Sequence, residues 1–367
     1  MSKLLDLARP DLRSLRPYVP GAYEPGYIRL NANESPWRSP GDATERGLNI
    51  YPPPRPFELR RKLAKHYGAR EQEVLVTRGS SEAIDTLIRG FCEARRDRIL
   101  ITPPTFDMYR LYAGIQGAGI VAVPLAVEPG RFALDADRVL AAVDSTTKLV
   151  FLCTPNNPTG QSIPRADVER ICAALEGRAL VVIDEAYHEF AEGGHFLDLR
   201  ERFEHVVLIR TLSKFVSLAG VRCGVLIGAP ELVDYLGNVL PPYTFPTPSI
   251  EHVMEALSDE SLRVSRERVA LIRRERRRLA EALRDVPDVL HVYASDANFV
   301  LVKTRDGQRF KETAHRGGIL VRTFAGDEAL ANCVRITVGR PEDNDRLLSA
   351  LAGIASPSLA AERVDGA

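Results

Sequence analysis

The chain has 367 residues, 45% of them hydrophobic and 27% charged, and its 49 Lys and Arg balance its 49 Asp and Glu to a net charge of zero. At ~150 residues per domain it has room for about two domains and a sizeable core, without disulfides or structural metal. The charge balance argues against a chain-wide nucleic-acid or membrane footprint. The most apolar stretch, 111–127, is interrupted by Pro124 and falls short of the ~20 residues a spanning helix needs.

Read from the N-terminus, Lys3, Asp6 and Arg9 interrupt the first apolar residues, so no secretory signal is expected and the cytoplasm is the expected location. Near-continuous apolar runs at 73–77, 98–102, 148–153, 179–183, 206–209 and 224–228 read as strands covered on both faces. Their alternation with helical patterns predicts an α/β fold with a mostly parallel sheet. Prolines cluster at 243–248. The charged stretch 258–286 then spaces Val269, Ile272, Leu279 and Leu283 at helical intervals, which predicts one long helix leaving the first domain. Runs at 298–302, 318–321 and 334–338 read as strands of a smaller α+β domain. A last helix is expected over 341–354, with Pro341 at a tolerated N-terminal position. The tail from Ser356 is expected to fray.

Cys92, Cys153, Cys172, Cys223 and Cys333 are scattered and form no CxxC pair, which suits reduced core residues. The histidines form no HxxxH or HExxH pattern, and no metal site is expected.

In an open α/β sheet, ligands bind beyond the carboxyl ends of the strands. After Thr77 comes Gly79-Ser80-Ser81, whose backbone N–H groups can face an anion at a helix start. After Thr102 comes a loop presenting Phe106. After Cys153 comes Pro155-Asn156-Asn157-Pro158-Thr159-Gly160. The run 179–183 delivers Asp184 and then Tyr187. After Ile209 come Thr211, Ser213, Lys214 and, shortly afterwards, Arg222. One rim thus offers an anion cradle, an aromatic plate, an amide, a carboxylate, a phenol, a lysine and an arginine. That set suits pyridoxal phosphate. A lysine can hold its aldehyde covalently, and a carboxylate can keep its ring nitrogen protonated. An amide and a phenol can bond its ring oxygen, and an aromatic ring can stack on it. Taken singly, Asp184 could cap a helix, Asn157 could form a turn, Phe106 could sit in the core, and Arg222 could pair at the surface.

Together, Pro155-Asn156-Asn157-Pro158-Thr159-Gly160, Asp184-Glu185-Ala186-Tyr187 and Ser213-Lys214 with Arg222 resemble the fold-type I pyridoxal-phosphate aminotransferases. Leu30-Asn31-Ala32-Asn33-Glu34, Tyr51-Pro52-Pro53-Pro54, Arg78-Gly79-Ser80-Ser81-Glu82 and Val334-Arg335-Ile336-Thr337 are similar, more narrowly, to the histidinol-phosphate aminotransferases. The resemblance spans about Leu7 to Leu351. It implies a large domain with a mostly parallel sheet between helices, plus a smaller α+β domain. The expected division is an N-terminal segment 1–44 at the site mouth, a cofactor-binding domain 45–257, a small domain 258–355 with the linking helix, and a tail 356–367.

The resemblance also implies roles. Lys214, Asp184 and Tyr187 would be catalytic. Gly79, Ser80, Ser81, Phe106, Asn157, Thr211, Ser213 and Arg222 would hold pyridoxal phosphate, with Tyr51 reaching the partner's cofactor phosphate in a homodimer with shared active sites. Arg335 would bind the substrate anion. Arg322 is its expected second, with an ordinary surface arginine as the alternative, and Tyr18 and Asn33 would add hydrogen bonds. The implied reaction converts L-histidinol phosphate and 2-oxoglutarate to imidazole acetol phosphate and glutamate. An aromatic amino acid substrate, a threonine-phosphate decarboxylase and a non-catalytic pyridoxal-phosphate binder are the alternatives. Ser81 and Arg55 depart from the family pattern, which often has Asp and Gln there, and Asp107 replaces a frequent Gly.

Overall fold

The computed structural model describes residues 3–19, 21 and 27–352. Among the described residues, nine strands precede the long helix. They are β1 (Val74–Thr77), β2 (Arg98–Ile101), β3 (Gly119–Ala122), β4 (Ala126–Glu128), β5 (Arg131–Ala133), β6 (Thr147–Cys153), β7 (Leu180–Asp184), β8 (Val206–Thr211) and β9 (Gly224–Ile227). Seven of them form one sheet in the order β1-β9-β8-β7-β6-β2-β3, while β4 and β5 make a separate ribbon. Only β9 runs against its neighbours in that sheet. The large sheet is therefore mostly parallel, as the apolar runs predict.

Helices cover both faces. They are α1 (Phe57–Tyr67), α2 (Ser80–Phe91), α3 (Met108–Gln116), α4 (Ala136–Ala142), α5 (Arg165–Ala174), α6 (Leu197–Arg202), α7 (Pro230–Val239) and α8 (Thr247–Ala256). Within each buried strand, alternate residues point to opposite faces. Val181 and Ile183 join one core with Leu59, Leu63 and Val168. Leu180 and Val182 join the other with Ile84, Leu87 and Phe91. Burying one such side chain contributes about 1.5–3 kcal/mol, so a strand committed to both cores is strongly held.

Helix α9 (Asp259–Arg284) is capped by Ser258, whose hydroxyl accepts from the Ser261 N–H. Its Val269 packs in the large core, and Leu279 and Leu283 pack in that of the second sheet. One helix thus serves two cores. The second sheet comprises β10 (Val289–Val292), β11 (Phe299–Thr304), β12 (Arg322–Thr323) and β13 (Cys333–Thr337), ordered β10-β11-β13-β12 and antiparallel throughout. Helices α10 (Gly307–Arg316) and α11 (Pro341–Ala352) pack on it.

The expected strand at 318–321 is not formed. Gly318 sits at φ +77, Leu320 is 85% exposed, and pairing begins only at Arg322 and Thr323. Strands β3 and β10 escape a reading by apolar runs. The first lies inside the 111–127 stretch, split from α3 by Gly117 at φ +74, and the second, at the sheet edge, leaves its two middle residues exposed. Among the described residues, no helix is long and apolar enough to cross a membrane, no metal-ligating cluster is found, and all five cysteines are buried and unpaired. The tail expected to fray lies outside the described residues.

Candidate active site

Strands β1, β6, β7 and β8 end on one rim, at Thr77, Cys153, Asp184 and Thr211, and β9 begins there at Gly224, opposite both Thr77 and Thr211. Gly79, at φ +79, caps α2 with no side chain bonded to the helix's first N–H groups. A Cβ on Gly79 would come within 2.6 Å of Arg222 Nη2, and one on Gly224 within 2.6 Å of the Ser80 nitrogen. Only glycine lets the helix start and the guanidinium close on one corner. There Arg222 Nη1 donates to Ser213 Oγ at 3.4 Å and to the Ala219 carbonyl at 3.0 Å. The Ser213 N–H donates to Thr211 Oγ1 at 3.1 Å. Free helix N–H groups, hydroxyls and a guanidinium suit a phosphate dianion.

Beside this corner, Asp184 is 2% exposed. Its Oδ2 accepts from the Tyr109 hydroxyl at 2.8 Å, and its Oδ1 accepts from the Ala186 N–H at 3.1 Å. Burial pushes the carboxyl up to about 6, against the pull of those two donors. A buried carboxylate held on two donors is poised for a cation, such as a protonated ring nitrogen. The sequence reading missed Tyr109. The signal was its place three residues after Phe106, in the first turn of α3, where the two rings meet edge to face at 5.7 Å. Tyr109 also stacks on Phe151 at 4.7 Å. One tyrosine therefore seats both the proposed aromatic plate and the proposed carboxylate.

Lys214 follows β8, half-buried, with Nζ 5.7 Å from the centre of the Tyr187 ring. Burial first, then Arg335 and Arg222, hold its ammonium below the usual lysine range. A lysine so placed reaches its neutral, nucleophilic form more readily. Tyr187 meets Phe299 edge to face at 5.3 Å, and burial raises its phenol above the ordinary value.

Arg335 arrives from the second sheet. It lies over the Phe299 ring at 5.3 Å and donates to Asn157 Oδ1. Its direct partner across the β12–β13 ladder is Arg322, which is exposed. Burial, more than the neighbouring Arg322 charge, lowers the Arg335 pKa. Asn156, also not singled out from sequence, ties the loops together. Its amide donates to the Pro104 carbonyl and to Thr159 Oγ1, both at 2.9 Å, and its Oδ1 accepts from Thr105 at 2.9 Å.

The structure does not bring every expected residue to this rim. Tyr51 is 48% exposed and stacks on Tyr243 at 4.7 Å, and Tyr18 meets that same ring at 6.2 Å. Asn33 is exposed, at φ 57. Among the described residues, no hydrogen bond or ring contact joins any of the three to Lys214 or Arg222. The Glu185–Arg210 pair, 2.7 Å apart and buried behind Asp184, anchors the segment after β7 rather than facing the rim.

Pyridoxal phosphate fits what is present. The Gly79–Arg222 corner is a cradle that a Cβ would fill, Asp184 is a buried anion, and Lys214 is an amine of lowered basicity. Residues 29–351 match the family of class I and II aminotransferases. A histidinol-phosphate aminotransferase of Xanthomonas axonopodis pv. citri is 42% identical over 353 residues, 95% of this chain and 97% of that protein. The N-succinyldiaminopimelate aminotransferase of Mycobacterium tuberculosis superposes with a TM-score of 0.73 at 26% identity, covering 84% of this chain and 87% of the other. A histidinol-phosphate aminotransferase of Sinorhizobium meliloti, solved with pyridoxal-5'-phosphate, gives a TM-score of 0.74 at 24% identity over 84% of each chain, a likeness of fold. Identity of that extent, meeting a strand-end rim already suited to a phosphorylated pyridine aldehyde, means that the chain belongs to the class I and II aminotransferases, with pyridoxal phosphate as its cofactor.

Proposed function

We propose that the enzyme transaminates L-histidinol phosphate with 2-oxoglutarate, giving imidazole acetol phosphate and glutamate in histidine biosynthesis. The observation that carries this is the Arg335–Arg322 pair, two arginines at one register position, one of them half-buried and donating to Asn157. Such a pair can grip a phosphate ester in one half-reaction and a dicarboxylate in the other. The name borne by the 42%-identical relatives supports the same substrate.

When bound, the cofactor supplies an aldehyde for the substrate amine and an electron-withdrawing ring that acidifies the adjacent carbon. The chain supplies the rest. Ser80, Ser81, Ser213, Thr211 and Arg222 hold the phosphate. Asp184, steadied by Tyr109, keeps a proton on the ring nitrogen. Phe106 would flank the ring face, while Asn157 and Tyr187 would hold its oxygen. Lys214 Nζ would take the proton from the substrate's amine-bearing carbon and hold it for return, as general base and then general acid.

Arg335→Ala is expected to weaken both half-reactions about tenfold to a hundredfold, the loss of one or two charge-assisted hydrogen bonds. Arg322→Ala should weaken the phosphate substrate more, because a dianion gains more from a second guanidinium. Single-turnover rates of each half-reaction check this. Unaltered handling of histidinol phosphate by Arg335→Ala refutes the clamp. A wild type preferring phenylalanine or tyrosine points instead to the aromatic alternative.

The proposed assembly is a cytoplasmic homodimer. Tyr18, Tyr27, Ile28, Leu30, Trp37 and Tyr51 form a run of large exposed apolar side chains in the N-terminal arm, which supports a partner there. The five unpaired cysteines support a reducing compartment. With Tyr51 acting in trans, mixing Tyr51→Phe with Lys214→Ala protein is expected to restore activity up to about a quarter of wild type, since half the dimers are hybrid and each hybrid has one intact site. Light scattering that finds an active monomer excludes this.

A further inference from the structure

The two sheets meet near the rim through a turn at 295–297, which leads into β11. The Asp296 N–H donates to the Gly160 carbonyl at 2.7 Å, and a Cβ on Gly160 would meet Ser295 Oγ at 2.5 Å. The turn therefore rests directly on the loop that carries Asn157. On its other side stands Arg276 of α9, 6% exposed. Its Nη1 donates to the Phe190 carbonyl at 3.1 Å and to the Ala297 carbonyl at 2.8 Å. Phe190 lies three residues beyond Tyr187 in the segment after β7, and Ala297 lies two residues before Phe299. One turn earlier on α9, Arg273 binds the carbonyls of Glu189 at 2.9 Å and of Phe190 at 3.2 Å, so the helix grips that segment twice.

A guanidinium that donates from one nitrogen to backbone carbonyls of two segments, one following β7 of the large sheet and one leading into β11 of the second, is a crosslink. Its planar fork fixes direction as well as distance, which an ammonium does not. The side chains flanking its two anchor points are Tyr187 and Phe299, which touch, and Arg335 lies over Phe299.

We propose that Arg276 is a positioning residue for the reaction: by joining Phe190 to Ala297 it sets how Phe299 and Arg335 stand against Tyr187 and Asn157. Arg276 touches neither substrate nor cofactor, and it acts through Arg335. The proposal rests on the reading of Arg335 as the substrate-anion clamp.

The test uses the holoenzyme and succinate, an unreactive dicarboxylate, titrated through the cofactor's absorbance. The variants are Arg276→Gln, Arg276→Lys, Arg335→Lys and the two doubles. Arg276→Gln is expected to weaken succinate binding about tenfold, within the range for residues that modulate a distant site. Arg276→Lys, which keeps the charge but has a shorter side chain and no planar fork, should fall between it and wild type. The cofactor band and cofactor retention should stay as in wild type. In the Arg335→Lys background, Arg276→Gln should add less than about twofold, because the two act as one unit. A merely structural loss would instead weaken binding equally in both backgrounds, and that result overturns the proposal. So does succinate binding within about twofold of wild type in both Arg276 variants while Arg335→Lys weakens it, an outcome that leaves the clamp reading standing. If Arg335→Lys leaves succinate binding unchanged, the clamp reading falls and takes the proposal with it. Should Arg276→Gln fail to fold, Arg276→Lys, which keeps the buried charge, is held to the same criteria.

Discussion

Lys214→Ala is expected to abolish transamination, lowering turnover by at least about 10³-fold, because one group supplies both the covalent link and the proton shuttle. The nearest hydroxyls cannot substitute. Tyr187 has its phenol pushed above the ordinary range by burial, and Ser213 is turned into the Arg222 corner. The lysine's own basicity is held down by desolvation and by the Arg335 and Arg222 charges, which favours the neutral amine needed for attack. Borohydride reduction of the wild-type holoenzyme should fix the cofactor to Lys214 Nζ. Peptide mapping that finds it on another lysine would overturn the site.

Asp184→Asn should slow proton abstraction by about 10²-fold or more while the cofactor still binds, since shape is kept and charge is lost. The pH dependence has a definite sign. Burial places the Asp184 carboxyl at about 6, above the free value of 3.8. In the apoprotein, ionising it therefore costs stability as pH rises through that window, and a protonated ring nitrogen offsets the cost by pairing with the carboxylate. Below about 6 the carboxyl of the apoprotein takes up a proton that cofactor binding must then displace. Wild-type cofactor retention is expected to fall there, and that of Asp184→Asn to stay flat, as equilibrium dialysis across pH can show. Tyr109→Phe, which deletes the donor to Oδ2 but keeps the packed ring, should move the wild-type fall to higher pH. Near-normal turnover in Asp184→Asn would defeat the assignment.

Much of this enzyme is legible in one dimension because its chemistry sits where strands end. A buried parallel strand must be an unbroken apolar run, so the residue after the run is placed at the rim by the same pattern that makes the strand. Asp184 after 179–183 and Lys214 after β8 follow from that rule. Gly79 after β1 is read in the same way, as the start of an anion cradle, while the crowding of Arg222 and Ser80 against Gly79 and Gly224 shows only in the structure.

Other features depend on which distant segments touch. Tyr109 looks like an ordinary helix residue until β2 and β7 are placed in one sheet and its hydroxyl meets Asp184, 75 positions away. Arg335 reaches Asn157 across 178 positions, and only because α9 folds the second sheet back over the first. Arg322 needed a strand that its sequence scarcely announces, since β12 is two residues long and owes its existence to pairing with β13. Arg276 reads as one of many charges on a solvated helix, yet it is buried on two carbonyls. By itself the sequence determined the buried central strands of the large sheet, the cofactor chemistry and the residue types at the rim, because apolar periodicity and local motifs act over a few residues. The tertiary structure decided which side chains hold Asp184, which arginines pair and which charge joins the sheets, because hydrogen bonds and burial depend on neighbours that no local pattern specifies.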